Sequence, residues 1–201
     1  MIRVLLAEDQ ALVRGALASL LGMEPDLEVV AQVGRGDEVL DAARGASPDV
    51  AVMDIEMPGC SGLDAAALLH DQLPAVRVVI VTTFGKPAFL RRAMAEGASA
   101  FLLKDAPAAE LAAAIRRVIA GERVVDPGLA AAALSAPENP LTPREQEVLR
   151  RVRDGGTTAQ IAADLHLSHG TARNHLSAVM QKLGAPTRAD ALRMAEDQGW
   201  L

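Results

Sequence analysis

Short apolar runs alternate with helical segments through the first 120 or so residues. The runs are nearly continuous in Val, Ile, Leu and Ala, which is typical of strands covered on both faces. They predict five strands, over residues 3–7, 28–33, 50–53, 76–82 and 100–103, with helices near 11–21, 37–43, 61–72, 87–96 and 107–119. Five β/α units with short connections imply an open, doubly wound parallel sheet with right-handed crossovers.

The pattern changes at residues 121–140, where prolines and a glycine bracket an Ala-rich stretch. This composition is typical of a linker of moderate stiffness that contains a short helix. A chain of 201 residues divides naturally into about 120 and about 60 residues. We therefore predict domains over residues 1–120 and 141–201, joined by the linker 121–140.

The last sixty residues predict four short helices. Residues 142–145, Thr-Pro-Arg-Glu, are a capping box with proline at the first helical position, and the glycine pair 155–156 ends that helix. Thr157 or Thr158 caps a second helix through Leu165, Ser168 caps a third through Leu183, and Thr187 caps a fourth that ends near Gln198. A three-residue turn joins the middle two helices, which is the pattern of a helix-turn-helix domain.

A net charge of −6 is unfavourable for nucleic-acid binding until it is divided along the chain. Residues 1–126 hold 12 basic against 18 acidic side chains, whereas residues 141–201 hold 8 against 7. Between residues 165 and 189 there are three Lys or Arg, three of the four histidines and no carboxylate. Local charge is what a phosphate meets, so the second domain keeps a basic face.

Membrane and secretory roles find no support in the sequence. No apolar run approaches the ~18–20 residues of a membrane span, and the N-terminus turns acidic at Glu8, too early for a signal peptide. The single cysteine, Cys60, excludes an internal disulfide framework. We interpret it as an incidental loop thiol and expect a cytoplasmic protein that does not bind membranes.

Polar side chains stand at the carboxyl ends of four predicted strands. They are Glu8 and Asp9 after the first strand, Asp54 after the third, Thr82 and Thr83 at the end of the fourth, and Lys104 after the fifth. In an open parallel sheet, ligands bind beyond these ends, so we expect the side chains to share one cleft. Single polar residues commonly end strands in α/β proteins, and it is the agreement of four strand ends that predicts a site.

Three carboxylates in one cleft predict a bound cation, because each pair at about 4 Å costs about 4 kcal/mol at an effective dielectric near 20. Oxygen-only ligands suit Mg²⁺. One carboxylate can then act as a nucleophile toward phosphorus while the metal neutralises the phosphoryl oxygens. Lys104 adds a second positive charge, and the Thr82 hydroxyl adds a hydrogen-bond donor.

The third helix of the second domain predicts a nucleic-acid interface. Its apolar side chains form one stripe, over Ala172, Leu176, Val179 and Leu183. The opposite face presents polar side chains suited to base edges, such as an Arg for guanine and an Asn for adenine, while His175 and Lys182 are placed to approach phosphates. These polar residues are Arg173, Asn174, Ser177 and Gln181, beside Gly170. An ordinary solvated helix face is the alternative interpretation.

The first domain resembles the receiver domains of bacterial response regulators across residues 2–120. The matching segments are residues 6–9, 53–59 with 62–64, 81–84 and 97–105. The resemblance implies a CheY-like fold with strand order 2-1-3-4-5. One departure is Asp105, which stands where many receivers have a proline and a cis peptide.

The same resemblance implies a role for each residue of the cleft. Asp54 is the expected phosphoacceptor, and Glu8 and Asp9 are the expected acidic pair. Mg²⁺ would be held by Asp9, Asp54 and the Glu56 carbonyl. Three further residues would respond to the phosphoryl group, in that Lys104 binds it, Thr82 turns toward it and Phe101 rotates to report the state.

The second domain resembles the LuxR-type helix-turn-helix. The match rests on residues 141–145, 161–162, 165, 167–168, Thr171, His175 and 182–184. It departs at Ala172, often valine, and at Gly170, a poor helix former. Together the two halves are identified as a member of the NarL/FixJ family of response regulators. Within the receiver half, residues 54–59 and 82–84 are most similar to DesR-like regulators of membrane-lipid desaturation.

The resemblance implies a transcription factor and not an enzyme. A sensor histidine kinase would phosphorylate Asp54, and the chain would dimerise and bind double-stranded promoter DNA, with RNA polymerase as a candidate further partner. Two alternatives stay open. An aspartyl-phosphate hydrolase also uses an Asp nucleophile with Mg²⁺, but it needs a second Asp where this sequence has Glu56. A regulator whose receiver only dimerises would not need phosphorylation.

Overall fold

The computed structural model describes residues 1–83, 85–135 and 138–201, and for Ala108 the backbone only. Phe84 of the receiver match, and Ala136 and Pro137 of the predicted linker, lie outside the described residues. The chain forms two compact units. The first comprises Met1–Gly85 and Phe89–Leu134, and the second comprises Ser135–Leu201 together with Lys86–Ala88.

The first unit is built around a parallel sheet with strand order β2-β1-β3-β4-β5-β6. Its strands are β1 (Ile2–Ala7), β2 (Leu27–Val33), β3 (Val50–Met53), β4 (Arg77–Thr82), β5 (Ala100–Leu103) and β6 (Val124–Val125). Its helices are α1 (Ala11–Gly22), α2 (Val39–Ala46), α3 (Gly62–Gln72), α4 (Pro87–Ala95), α5 (Ala108–Ile119) and α6 (Pro127–Ser135), with a 3-10 turn at Gly36–Glu38. The predicted order of the first five strands is confirmed.

The sheet has six strands where the sequence predicted five. The sixth, β6, pairs in parallel with β5 through Val124 opposite Ala100 and Val125 opposite Phe101. Two residues are too few to form the apolar run by which a buried strand is recognised. The short helix predicted within residues 121–140 is α6, whose Ala133 packs into the core of the same unit.

Apolar side chains cover both faces of the sheet, which explains the nearly continuous apolar runs. Leu5, Met53, Ile80 and Phe101 belong to the cluster on one face, and Val4, Leu6, Val52 and Val79 belong to the cluster on the other. Successive residues of a strand point to opposite faces. Each fully buried side chain of this size contributes about 1.5–3 kcal/mol relative to an exposed one, so both helical layers hold the strand ends in place.

The second unit contains α7 (Pro143–Arg153), α8 (Thr158–Asp164), α9 (His169–Leu183) and α10 (Arg188–Asp197). The predicted caps are confirmed. Thr142 and Glu145 form the capping box of α7, and Thr157, of the two threonines considered, caps α8 with Gln160. Ser168 and Thr187 cap α9 and α10. Among the described residues, no helix has the length and apolar character that crossing a membrane requires.

Candidate phosphoacceptor pocket and nucleic-acid interface

The carboxyl ends of β1, β3, β4 and β5 lie side by side, because these strands are neighbours in the sheet. Backbone bonds continue the ladder past the strand ends. The Asp54 amide donates to the Ala7 carbonyl at 3.0 Å, and the Lys104 amide donates to the Thr82 carbonyl at 2.8 Å. The polar residues that follow these strands are therefore brought to one place, as the sequence predicted.

Lys104 links two buried carboxylates at this place. Its Nζ lies 2.7 Å from Glu8 Oε2 and 2.8 Å from Asp54 Oδ2. The exposed fractions of the side chains are 1% for Glu8, 7% for Asp54 and 13% for Lys104. The other oxygen of Asp54, Oδ1, accepts a bond from the Ile55 amide at 2.7 Å. The Asp54 carboxylate is thus held in one orientation, with Oδ2 toward the ammonium.

Asp9 completes an acidic cluster that fits a hard divalent cation. One carboxylate oxygen from each of Glu8, Asp9 and Asp54 lies within 4.8 Å of the others, and Asp9 is the exposed member. Oxygen donors of this kind are what Mg²⁺ prefers, and it commonly keeps several waters and binds one or two carboxylates. Glu56 lies two residues after Asp54 with an exposed side chain. The ligand that the receiver resemblance implies at this position is the backbone carbonyl.

Burial and charge oppose each other in the pocket. Burial raises the pKa of Glu8 above its ordinary value, although the bond from Lys104 works against the shift. Burial by itself would lower the pKa of Lys104, but the bonds to Asp54 and Glu8 outweigh it and the pKa is raised. Lys104 therefore stays protonated and supplies a fixed positive charge beside Asp54.

Two glycines allow the loop after β3 to fold tightly beside Asp54. A Cβ on Gly62 would lie 1.8 Å from the Asp54 carbonyl oxygen, and a Cβ on Gly36 would lie 2.0 Å from the Cys60 carbonyl oxygen. The Gly62 amide also donates to Ile55 O at 2.9 Å, and the Gly36 amide donates to Pro58 O at 3.0 Å. Any larger residue at these two positions would push the loop away.

The helix α9 carries the predicted nucleic-acid interface. Its buried stripe is Ala172, Leu176, Val179 and Leu183, as predicted. Arg173, Asn174, Ser177 and Gln181 are exposed on the opposite side, and Thr171 and His175 are half-buried.

The α9 side chains that the sequence predicts to contact bases, Arg173 and Asn174, are exposed. Within the part of the chain that the structure describes, the side chains of Arg173 and Asn174 make no hydrogen bond or ion pair. Thr171 is in the first turn, where its amide donates to the Ser168 hydroxyl at 3.0 Å. Lys182, near the end of the helix, donates to Glu145 at 2.7 Å.

The turn before α9 is held from α7. His166 takes a left-handed conformation with φ of 52°, and the Leu167 amide donates to the Ala162 carbonyl at 2.7 Å. From α7, the Arg144 guanidinium donates to the Leu165 carbonyl at 2.6 Å. These bonds hold the short turn that joins α8 to α9, as in a helix-turn-helix.

Two family models together match most of the chain. The response regulator receiver domain matches residues 4–116, and the luxR family of bacterial regulatory proteins matches residues 139–195. The chain belongs to the LuxR-type response regulators. It is a transcriptional regulator and not an enzyme.

Full-length relatives agree with this assignment. The chain is 46% identical to the transcriptional regulatory protein YvfU of Bacillus subtilis, over the whole of both chains. It is 44% identical to the transcriptional regulatory protein DesR of the same organism, over all of this chain and 99% of DesR. The crystal structure of the response regulator ChrA, from a heme-sensing two-component system, superposes with a TM-score of 0.58 at 34% identity, covering 100% of this chain and 98% of that one.

Of the three residues predicted to respond to the phosphoryl group of this response regulator, Thr82 and Phe101 are fully buried. Thr82 ends β4 with no exposed surface, and Phe101 lies in β5 in the core, equally inaccessible and paired with Ile80. No cis peptide bond occurs among the described residues, including the bond between Lys104 and Asp105.

Two contributors to the pocket were missed in the sequence. The Arg14 guanidinium, from α1, donates to the Glu8 backbone carbonyl and so braces the loop that carries Glu8 and Asp9. Gly36 supports the phosphoacceptor loop from the β2–α2 connection. The glycines flanking residue 35 were a readable signal for a tight turn, whereas nothing in the pattern of α1 distinguishes Arg14 from a solvated arginine.

Proposed function

We propose that Asp54 accepts a phosphoryl group from a sensor histidine kinase, and that phosphorylation leads this response regulator to dimerise and bind promoter DNA. The observation that carries the proposal is the Asp54 carboxylate, 93% buried, with Oδ2 2.8 Å from the Lys104 ammonium and beside Glu8 and Asp9. A buried carboxylate beside a fixed cation, in an acidic cluster whose third member Asp9 is exposed, suits transient phosphoryl transfer.

The transfer itself needs little from the protein besides position and charge. Asp54 Oδ2 attacks phosphorus, a P–O bond forms, and the P–N bond of the kinase phosphohistidine breaks as the imidazole leaves. Lys104, already in the pocket, moves its contact from the Asp54 carboxylate to the phosphoryl oxygens. Bound Mg²⁺, held by Asp9, Asp54 and the Glu56 carbonyl with Glu8 nearby, would neutralise the charge on those oxygens.

The switch follows from the new charge. A phosphoryl group adds about −1.5 to −2 charges at neutral pH. Thr82 and Lys104 are drawn toward it, and Phe101 rotates into the space that this movement opens behind them. Because all three belong to β4, β5 and the loop after β5, the change reaches the surface on that side of the sheet.

Dimerisation through α1 and α5 has support in exposed apolar side chains. Leu12 and Leu20 of α1 are 87% and 43% exposed, and Ile119 of α5 is 39% exposed. Most other apolar residues of α5 face their own core, so α1 supplies the larger share of the surface. Multi-angle light scattering after beryllofluoride treatment should give twice the monomer mass, and an unchanged monomer would refute dimerisation.

DNA binding is assigned to α9, with its N-terminal half entering the major groove. A dimer would read two half-sites about 10 bp apart or a multiple of that. Because the chain acts on promoters, we infer a cytoplasmic protein. The proposed domain bounds are 1–120, 121–140 and 141–201, with residues 121–134 docked in the first compact unit. The proposed contact set is Thr171, Arg173, Asn174, His175, Ser177 and Gln181. Lys182, which the sequence predicts as a phosphate contact, lies at the end of the same helix with its ammonium bonded to Glu145.

Acetyl phosphate labelling tests the phosphoacceptor directly. With Mg²⁺ present, the wild-type chain should gain the mass of one phosphoryl group, and Asp54→Asn should gain none. A chelator should abolish the gain, because the acidic cluster then repels the incoming phosphate. Labelling of Asp54→Asn to the wild-type level would overturn the assignment.

A further inference from the structure

The end of α9 is joined to the first turn of α7 by one buried carboxylate. Glu145 Oε2 accepts a bond from Lys182 Nζ at 2.7 Å and a second bond from the Thr142 amide, also at 2.7 Å. The Glu145 side chain is 7% exposed and the Lys182 side chain is 36% exposed. The same oxygen therefore serves the cap of α7 and the last turn of α9.

The surroundings of this ion pair make it a rigid connection. Leu149 of α7 packs with Val179 and Leu183 of α9 in one buried cluster. Burial alone would raise the pKa of Glu145, but the bonds from Lys182 and from Thr142 outweigh it, and the pKa lies below its ordinary value. The carboxylate is therefore charged at neutral pH, and it faces the ammonium across the packed helix pair.

Lys182 differs in this respect from the other basic residue of the interface. The Arg173 side chain is exposed and makes no hydrogen bond or ion pair with any described residue, so its charge is free to meet DNA. The charge of Lys182 is already compensated by Glu145. A compensated charge adds little to the release of counterions that accompanies phosphate contact.

We propose that Lys182 is a positioning residue, whose ion pair with Glu145 fixes the angle of α9 against α7 instead of contacting a DNA phosphate. The inference rests on the proposed assignment of DNA reading to α9. Arg173 lies nine residues before Lys182, about 13 Å along the axis at 1.5 Å per residue. If α9 tilted by about 5° about the Lys182–Glu145 ion pair, Arg173 would move by about 1 Å, which is enough to break hydrogen bonds to base edges.

The test compares specific with non-specific binding in full-length variants. An operator duplex is first selected from random sequence with the wild-type chain. Fluorescence anisotropy then measures its affinity, and that of a random duplex, across a range of salt concentrations. Circular dichroism at the assay temperature establishes that each variant is folded. The variants are Lys182→Met, Lys182→Arg, Glu145→Gln and the double variant Glu145→Gln/Lys182→Met.

A positioning role predicts a loss confined to the operator. Lys182→Met should weaken operator binding by roughly tenfold, leaving random-duplex affinity and the salt slope unchanged. Lys182→Arg should restore operator binding, and the double variant should lose less than the two single variants combined. If the ion pair only stabilised the fold, a folded variant would keep the wild-type ratio of operator affinity to random-duplex affinity. An unchanged ratio would therefore overturn the proposal.

A phosphate contact predicts the opposite pattern. Lys182→Met would then weaken both duplexes equally, and the slope of log affinity against log salt would become shallower by about 0.9 per lost contact. Should Lys182→Met fail to fold, Glu145→Gln separates the two roles, because it removes the carboxylate and leaves the Lys182 charge: a positioning role predicts an operator-specific loss, and a phosphate contact predicts no loss on either duplex. Arg173→Ala is the separate check on the proposed function, since full retention of operator preference in that variant would count against base reading by α9, independently of the outcome for Lys182.

Discussion

Replacing Lys104 with methionine should destabilise the first unit strongly in the absence of Mg²⁺ and much less in its presence. Methionine keeps an apolar stem of similar length but removes the charge between Glu8 and Asp54. Those carboxylates are 1% and 7% exposed, and the ammonium lies 2.7 and 2.8 Å from them. The variant therefore leaves two buried like charges without a counter-ion.

The magnitude follows from these distances. At an effective dielectric near 20, each attraction is about 6 kcal/mol, and the cost of desolvating the ions offsets much of this sum. Breaking a buried ion pair by removing one partner typically costs about 3–5 kcal/mol, and we expect a loss in that range. Mg²⁺ at one hundred times its dissociation constant raises the free energy of unfolding by about 2.7 kcal/mol. The metal should also bind the variant more tightly, because no ammonium competes for the oxygens.

Urea unfolding followed by far-ultraviolet circular dichroism, with Mg²⁺ or with a chelator, measures both effects. The chain has one tryptophan, Trp200, which lies in the second unit, so its fluorescence transition serves as an internal reference that should not move. Arg117→Met is the matched control, since Arg117 pairs with Glu122 at the surface with both about half exposed and should cost no more than about 1 kcal/mol. A Lys104→Met variant as stable as wild type in chelator would show that Lys104 does not stabilise the buried Glu8 and Asp54 carboxylates.

Three further predictions follow from the same contacts. Gly62→Ala should destabilise the first unit and slow acetyl phosphate labelling, because its Cβ would lie 1.8 Å from the Asp54 carbonyl oxygen. Gly45→Ala, with open space around the Cβ, is the control, and equal stability and labelling rates in the two variants would contradict the prediction. Arg173→Ala should lower operator affinity by about 1–3 kcal/mol while random-duplex binding falls far less, with anisotropy as the assay and equal losses as the contrary result. Finally, the folded-state pKa of Glu145 is depressed, so its stabilising contribution is complete above the unfolded pKa of about 4.3–4.5 and is lost as the pH falls through the lower, folded value. Unfolding followed by Trp200 fluorescence should therefore depend less on acid pH in Glu145→Gln than in wild type. An identical pH dependence would count against the ion pair.

Local patterns predicted most of the fold, because the elements are specified by short-range physics. The capping boxes at Thr142 and Thr157 and the stripe of α9 each depend on spacings of three or four residues. The strand β6 was missed because its two residues carry no periodicity and are held only by pairing with β5.

The sequence predicted the site residues that directly follow a strand, but it did not predict the side-chain contacts between residues far apart in the chain. Glu8, Asp54 and Lys104 were brought together by sheet topology. The bond between Lys182 and Glu145 joins residues 37 positions apart, and helical periodicity only indicates that Lys182 lies toward the outside of α9. Tertiary packing decides which charged side chain on an exposed helix face already forms an ion pair. A local sequence pattern does not contain this information.

A genome-wide DNA-binding footprint tests whether phosphorylation of Asp54 controls DNA binding. Wild type and Asp54→Asn are compared at equal protein levels, with and without a phosphodonor. We predict that the donor raises occupancy at a defined set of promoters for wild type, and that Asp54→Asn stays at the level of the untreated protein. Equal, donor-independent occupancy by both proteins would mean that Asp54 phosphorylation does not control DNA binding.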